Sequence, residues 1–414
     1  MDQASNTLKL LVFHPYLLVR GGSQKYAIQT ARLFSERGYE VVLCTFYFNR
    51  AMCYPELTQS LKIIALHETE NSNTLAGSVK RRHAAIYRLL LWSGIAVFAR
   101  FLKNLLLANR LFRKLREHEE LSTRPFSIIY IHESSINYFA RWFRTARAYL
   151  YCYDTPDKFR AWELADAKRA PLYRCANYLV DRIFKQNDCI NHFENVFVLD
   201  EVMRRRVIEY YGRSPDKIYG GIDTTRFYLN RSHYLHDKLG VPHSTPIISC
   251  VTRFVPYRRV DDLLAAFGQV DAKGACLYIN GPSEDLAYYN RLIRDYRDLL
   301  APQGRVYLDT VPFKDERELA LTYQCSRIFV FPNESQTWGN AVLEAMACGC
   351  ACIVSDGCGI VEIISDNRNG LVFECGDVRN LTRLIQRVLD DPDYANQLGE
   401  AAARHIATNF SWNN

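Results

Sequence analysis

The chain has 414 residues, of which 48% are hydrophobic and 23% charged, and a formal net charge of +7. That composition excludes a disordered chain, and the length favours two domains of roughly 200 residues over one core. No apolar run reaches the roughly 20 residues of a membrane span, and thirteen scattered cysteines read as free core thiols in a reducing compartment.

The polar opening "MDQASNTLKLLVF" runs straight into a strand at Leu8 to Phe13. No leader peptide is expected, and the chain reads as cytoplasmic. "HPYLLVRGG" forms a loop, after which Ser23 is placed to cap a helix sharing Tyr26, Thr30, Leu33 and Phe34 on one face. Gly38 ends the helix and "EVVLCTF" is the next strand. Strand, glycine loop, helix and strand make a βαβ unit, which implies a parallel sheet covered by helices.

Between Val79 and Glu119 the chain carries ten Lys or Arg against two Glu, interleaved with Trp92, Phe98, Phe101 and Phe112. A basic, aromatic amphipathic helix can lie on an anionic membrane surface; the plainer alternative is a surface helix packing on the first sheet. Nucleic-acid binding is disfavoured, because the basic residues are dispersed among large aliphatics.

Strands resume with "FSIIYIHES", "AYLYCYD" and "NVFVLD". After the turn-rich "RSPDKIYGGIDTTRF", a second series follows: "TPIISCVTRF", "ACLYING", "RVYLDTV", "RIFVFPN" and "CACIVSD". These strands alternate with helical segments such as Asp261 to Phe267 and Glu316 to Cys325. The expectation is an α/β chain of two doubly wound, Rossmann-like domains facing across a cleft. The first spans 1–215 with a basic insert at 79–119, the second spans 216–400, and 401–414 begin a helix crossing back to the first. Ligands in such sheets bind beyond the carboxyl ends of the strands.

Three groups of residues point to anion and sugar chemistry. Arg253 ends a buried strand and Arg258 follows five residues later, so two guanidiniums can clamp a diphosphate. In "QTWGNAVLEAMACG", running from Gln336 through Thr337, Trp338, Gly339, Asn340 and Ala341 to Glu344 and beyond, Gly339 opens a helix whose N–H groups and dipole suit phosphate oxygens. Glu344 sits among apolar neighbours and needs a partner, either a sugar diol or an arginine. His132 lies at a strand end, where a structural role and a site role both stand open. No Asp-x-Asp pair at a strand end suggests a metal site, and no cofactor is expected.

These pieces together resemble the retaining GT-B, or group 1, glycosyltransferases, including mannosyltransferases that act on lipid-linked oligosaccharides and phosphatidylinositol. That family's arginine and lysine match Arg253 and Arg258, with lysine replaced. Its Glu-x7-Glu signature matches Gln336 and Glu344, with the first glutamate replaced by an amide. The family's glycine, glutamate and "NGL" segment matches Gly359, Glu362, Asn369 and Gly370. Gly21 and Gly22 stand where the family's glycine loop approaches the donor, Gly281 closes a donor-side strand, and His132 matches a strand-end histidine over the donor sugar. The resemblance implies a nucleotide-diphosphate sugar donor, leaning to GDP-mannose with a UDP-sugar second. It also implies retention at the anomeric carbon and no obligatory metal.

Gln336 is a neutral amide, so it cannot be a carboxylate nucleophile, yet it can hydrogen-bond sugar hydroxyls. That favours same-face displacement onto a lipid-linked or oligosaccharide acceptor, with Glu334 an alternative group for the sugar. A non-catalytic sugar-nucleotide-binding subunit is the second reading.

Overall fold

The computed structural model describes residues 8–69, 95–117, 125–133, 139–143, 145–153, 189–301 and 304–412. The chain divides into two units, Met1–Ile218 and Tyr219–Asn414, three residues from the 215/216 division read from the sequence.

The first unit holds a parallel sheet built from β1 (Lys9–Phe13), β2 (Tyr16–Leu17), β3 (Glu40–Phe48), β4 (Lys62–Glu68), β5 (Ile128–Ile131), β6 (Arg147–Tyr151), β7 (Asn195–Val198) and β8 (Asp216–Lys217). Neighbours run β2-β3-β1-β5-β6-β7-β8, with β4 also paired to β3. β1 is apolar nearly throughout because both faces of the sheet are covered. On one face Leu10 and Val12 pack with Ala27, Ile28 and Ala31 of the helix Gly22–Glu36. On the other, Leu11 and Phe13 pack with Leu107, Ala108 and Leu111 of the helix Ile95–Glu117. Each such leucine, fully buried, contributes about 1.5–3 kcal/mol.

Two local expectations change. The first helix is capped by Gly21 in extended backbone, with no side-chain cap, and Ser23 lies inside its first turn. Its buried face centres on Ala27, Ile28 and Ala31, while Thr30, Leu33 and Phe34 are only partly covered. Of the basic insert, residues 79–94 and 118–119 lie outside the described residues. The helix between them packs on the first sheet and leaves Leu102, Lys103, Leu106 and Arg110 exposed. Among the described residues no helix is long and apolar enough to cross a membrane.

The second unit has a parallel sheet ordered β11-β10-β9-β12-β13-β14. Its strands are β9 (Ile247–Val251), β10 (Cys276–Asn280), β11 (Val306–Asp309), β12 (Ile328–Phe331), β13 (Ala351–Ser355) and β14 (Leu371–Phe373). The helices include Val260–Phe267, Glu316–Cys325, Asn340–Ala347, Val378–Asp390 and Pro392–Asn409. Asp315, Asp377 and Asp391 each start a helix by accepting a backbone N–H from its first turn, a cap worth about 1 kcal/mol. The closing helix begins at Pro392 rather than 401. Beyond it, Ile222 N–H donates to the Phe410 carbonyl at 2.8 Å and Trp412 N–H to the Ile222 carbonyl at 3.1 Å, all within this unit. The twelve described cysteines are free thiols, eleven of them buried.

Candidate active site

In the second unit the strand order reverses between β9 and β12. The chain moves outward from β9 through β10 to β11 on one side and from β12 through β13 to β14 on the other. Such a switch point opens a crevice at the carboxyl edge of the sheet. The loop after β9 carries Thr252, Arg253 and Arg258, the loop after β12 carries Asn333 to Gly339, and the loop after β13 carries Gly357 to Gly359. The sequence-chosen residues of this unit therefore gather at one edge.

Close backbone approach builds that edge. A β-carbon on Gly281 would stand 1.8 Å from the Thr252 carbonyl oxygen, and one on Gly357 2.3 Å from the Glu334 carbonyl oxygen. Only glycine lets these loops pass so near each other. Gln336 N–H donates to the Gly357 carbonyl at 3.1 Å, and Gly359 N–H donates to the Gln336 and Thr337 carbonyls at 3.0 and 2.9 Å. The Gln336–Trp338 segment is thus stitched down by its backbone, which leaves the Gln336 side chain to be placed by its own partners.

Arg258 lies on the short 3-10 turn Pro256–Arg258 and is only 8% exposed. Its Nη1 donates to Gln336 Oε1. Asn333, with its amide oxygen turned toward the guanidinium, accepts from the same Nη1 at 2.7 Å and donates to the Arg258 carbonyl at 3.2 Å. The Tyr257 ring stands 5.0 Å from the Arg258 guanidinium carbon and 5.9 Å from that of Arg253. Burial, and then the neighbouring Arg253 charge, pull Arg258 down to about 10, so it stays a cation at neutral pH. Arg253 is more exposed and pairs with Glu284 at 3.1 Å.

Gly339 has φ +116 and precedes the helix Asn340–Ala347, which has no side-chain cap. The Val342 and Leu343 N–H groups turn back to the Gly339 carbonyl, so the earliest N–H groups point beyond the helix end. Glu344 is buried on this helix, and its Oε2 accepts from the Tyr323 hydroxyl at 3.2 Å. Burial and then the Glu344 charge raise Tyr323 well above the usual phenol range, so the hydroxyl keeps its proton and donates. Trp338 turns inward and stacks on Tyr219 at 5.1 Å with Phe410 nearby at 6.4 Å.

In the first unit the order reverses between β1 and β5, and His14 and His132 leave the ends of those two strands. His132 is fully buried. Its N–H donates to the Phe13 carbonyl at 2.9 Å, its Nδ1 bonds the Tyr153 hydroxyl, and its ring stacks on Tyr151 at 5.7 Å. Burial, then His14, hold His132 well below the ordinary imidazole value. It is neutral, and among the described residues its buried Nε2 has no hydrogen-bond partner.

The glycine loop is fixed by a closed ring of hydrogen bonds. Tyr16 N–H donates to His14 Nδ1 at 3.2 Å, which places the His14 proton on Nε2, 3.2 Å from Ser23 Oγ. The Ser23 hydroxyl then donates to Gln24 Oε1 at 3.2 Å, and Gln24 Nε2 donates back to the Tyr16 carbonyl at 3.2 Å. Gly21 and Gly22 lie between Tyr16 and Ser23 along the chain, and a β-carbon on Gly21 would stand 2.3 Å from Gln24 Oε1. Burial drives His14 down to about 3. His14, Tyr153 and Tyr323 were not singled out from the sequence, and Ser23 was read there only as a helix cap. The short His14-to-Ser23 spacing around "GG" was the available signal for that pair, whereas Tyr153 and Tyr323 are brought in only by strand and helix neighbours. Among the described residues no group of three or more His, Cys, Asp or Glu could hold a metal ion.

Residues 233–405 match the family described as glycosyl transferases group 1. A GDP-mannose-dependent monoacylated alpha-(1-6)-phosphatidylinositol monomannoside mannosyltransferase of Corynebacterium glutamicum is 29% identical over 222 residues, 50% of this chain and 56% of that protein. A D-inositol 3-phosphate glycosyltransferase of Thermobifida fusca is 25% identical over 50% of this chain and 49% of that one. The chain spans about half the length of the curated relatives it matches. Sucrose-phosphate synthase of Thermosynechococcus elongatus superposes with a TM-score of 0.72 at 18% identity, over 98% of this chain and 96% of that one. HepE of Anabaena, solved with UDP and glucose, superposes at 0.70 with 15% identity over the same shares. The chain has the GT-B fold of these glycosyltransferases.

Proposed function

We propose that the protein moves a hexose from a nucleotide-diphosphate sugar to a lipid-linked or oligosaccharide acceptor, a reading supported by the match of residues 233–405 to the group 1 glycosyl transferases. The observation that carries this reading is Arg258, a buried cation at a switch-point edge whose Nε has no hydrogen-bond partner among the described residues. An anion there is matched by Arg258, by Arg253 and by the opening of the helix Asn340–Ala347. Electrostatic stabilisation of a leaving diphosphate is the main contribution such groups make to glycosyl transfer.

Transfer proceeds with retention by same-face displacement. The leaving diphosphate takes the acceptor proton, and Gln336, lacking a carboxylate, forms no covalent glycosyl intermediate. Glu344 serves the ribose diol while the Tyr323 hydroxyl holds one of its oxygens. GDP-mannose is the first donor to try, since the C. glutamicum relative is named for it, and UDP-hexoses come second. Exposed Leu102 and Leu106, flanked by Lys103, Arg110 and Arg113, support peripheral contact with anionic membrane.

Titrating the protein with GDP-mannose and UDP-hexoses, then assaying transfer to membrane-lipid and oligosaccharide acceptors, tests the reading. Donor binding with no transfer across a wide acceptor panel would favour a sugar-nucleotide-binding subunit instead.

A further inference from the structure

We propose that Gln336 is an electrostatic positioning residue: its neutral amide holds Arg258 in place while leaving the guanidinium's whole charge to a diphosphate. The inference rests on the donor-site reading above.

Two neighbouring guanidiniums are treated differently by their surroundings. Arg253 is partly exposed and already shares its charge with Glu284 at 3.1 Å. Arg258 is 8% exposed, and among the described residues no carboxylate lies within ion-pair distance of it. Among the described residues its hydrogen-bonding and stacking partners are the Gln336 and Asn333 amides and the Tyr257 side chain, all neutral. Its Nε is buried with no hydrogen-bond partner among the described residues. A buried cation with neutral partners and one unmet donor is an incomplete arrangement, because desolvation of the charge is offset only when a counter-charge arrives.

A carboxylate at position 336 would accept the same hydrogen bond with the same shape. It would also cancel the charge, and an incoming diphosphate would then meet a neutral pair. The amide supplies the bond without the charge. It has a second consequence: Oε1 is turned to Arg258, which aims the other end of the amide, the donating NH2, at a ligand. The group it meets is therefore an acceptor oxygen, from the diphosphate or from a sugar hydroxyl acting through its lone pairs.

The test is calorimetric titration of the full chain with inorganic pyrophosphate, UDP and GDP. It compares the unaltered protein with Gln336→Glu, an isostere that adds a charge and loses the NH2 donor, and Gln336→Ala, which also loses the NH2 but keeps the cation unpaired. Gln336→Glu is expected to lose tenfold or more in pyrophosphate affinity and to melt at a higher temperature without ligand, while Gln336→Ala loses clearly less affinity. Asn333→Asp puts a carboxylate on the same guanidinium from its other neighbour and is expected to reproduce the loss, which covers the case of a misfolded Gln336→Glu. Equal affinity in the unaltered protein and a folded Gln336→Glu overturns the inference, as does a greater loss in Gln336→Ala than in Gln336→Glu. If the unaltered protein binds none of the three anions, the donor-site reading falls and takes the inference with it.

Discussion

Replacing Arg258 with Met is expected to stabilise the empty protein while abolishing diphosphate binding. Arg258 is held at about 10 chiefly by burial, roughly two to three pH units below the ordinary guanidinium value. At ~1.4 kcal/mol per tenfold, keeping this group charged in the fold costs on the order of 3 kcal/mol at neutral pH. The sign follows from linkage: a cation whose folded value is depressed carries that cost in full below the folded value, and loses it only as pH rises toward the unfolded one. Methionine removes the charge and fills much of the same volume, but it leaves the Gln336 and Asn333 oxygens without their donor, which returns about 1–2 kcal/mol. The net expectation is a gain of about 1–2 kcal/mol. Urea denaturation resolving the transition of the second unit measures it, alongside pyrophosphate titration. Destabilisation by more than about 1 kcal/mol would show that the guanidinium is a structural tie, and the anion-site account of Arg258 would fail.

The first unit offers a pH test. His14 is held at about 3 by burial, below its unfolded value of ~6.5, so the unfolded chain binds the extra proton between those values. Stability is therefore lost as pH falls from 6.5 toward 3, by at most about 5 kcal/mol from this group; His14→Gln should flatten that limb in acid denaturation. Tyr153→Phe keeps the ring stack but removes the hydroxyl on His132 Nδ1, and a fall of roughly tenfold to a hundredfold in kcat with little change in donor KM is expected. Gly281→Ala drives a β-carbon to 1.8 Å from the Thr252 carbonyl and should destabilise by at least about 2 kcal/mol, read as a lower melting temperature with weaker pyrophosphate binding. Changing Leu102 and Leu106 to Ser should reduce co-sedimentation with anionic vesicles and leave donor binding intact; unaltered co-sedimentation would remove the membrane proposal.

The strands that stand out most plainly in the sequence are those buried on both faces. "TPIISC" and "CACIVS" read as apolar runs because helices cover each side, as in β9 and β13, and both fall where expected. β4 escaped notice since it is paired only through β3 and keeps Lys62, His67 and Glu68 exposed, which breaks the run. The Ser23 expectation failed for a local reason: the helix needed a residue with no side-chain demand where the loop closes, and Gly21 fills that place. In the site, position along the chain showed Arg258 and Gln336 as candidates, but only the fold shows that one donates to the other across 78 residues. Glu344 was recognised as needing a partner, and that partner, Tyr323, comes from a different helix with no sequence signature.

The central claim is glycosyl transfer from a nucleotide-diphosphate sugar with retention and without a carboxylate nucleophile at position 336. It is tested most directly by incubating the protein with GDP-mannose, and in parallel with UDP-hexoses, in the presence of lipid and oligosaccharide acceptors. The release of nucleoside diphosphate and the anomeric configuration of the product, by NMR, are the two quantities to follow. The account predicts a product with the anomeric configuration of the donor and no trapped glycosyl-protein adduct by mass spectrometry. An inverted product, or a covalent sugar on the protein during turnover, would contradict it.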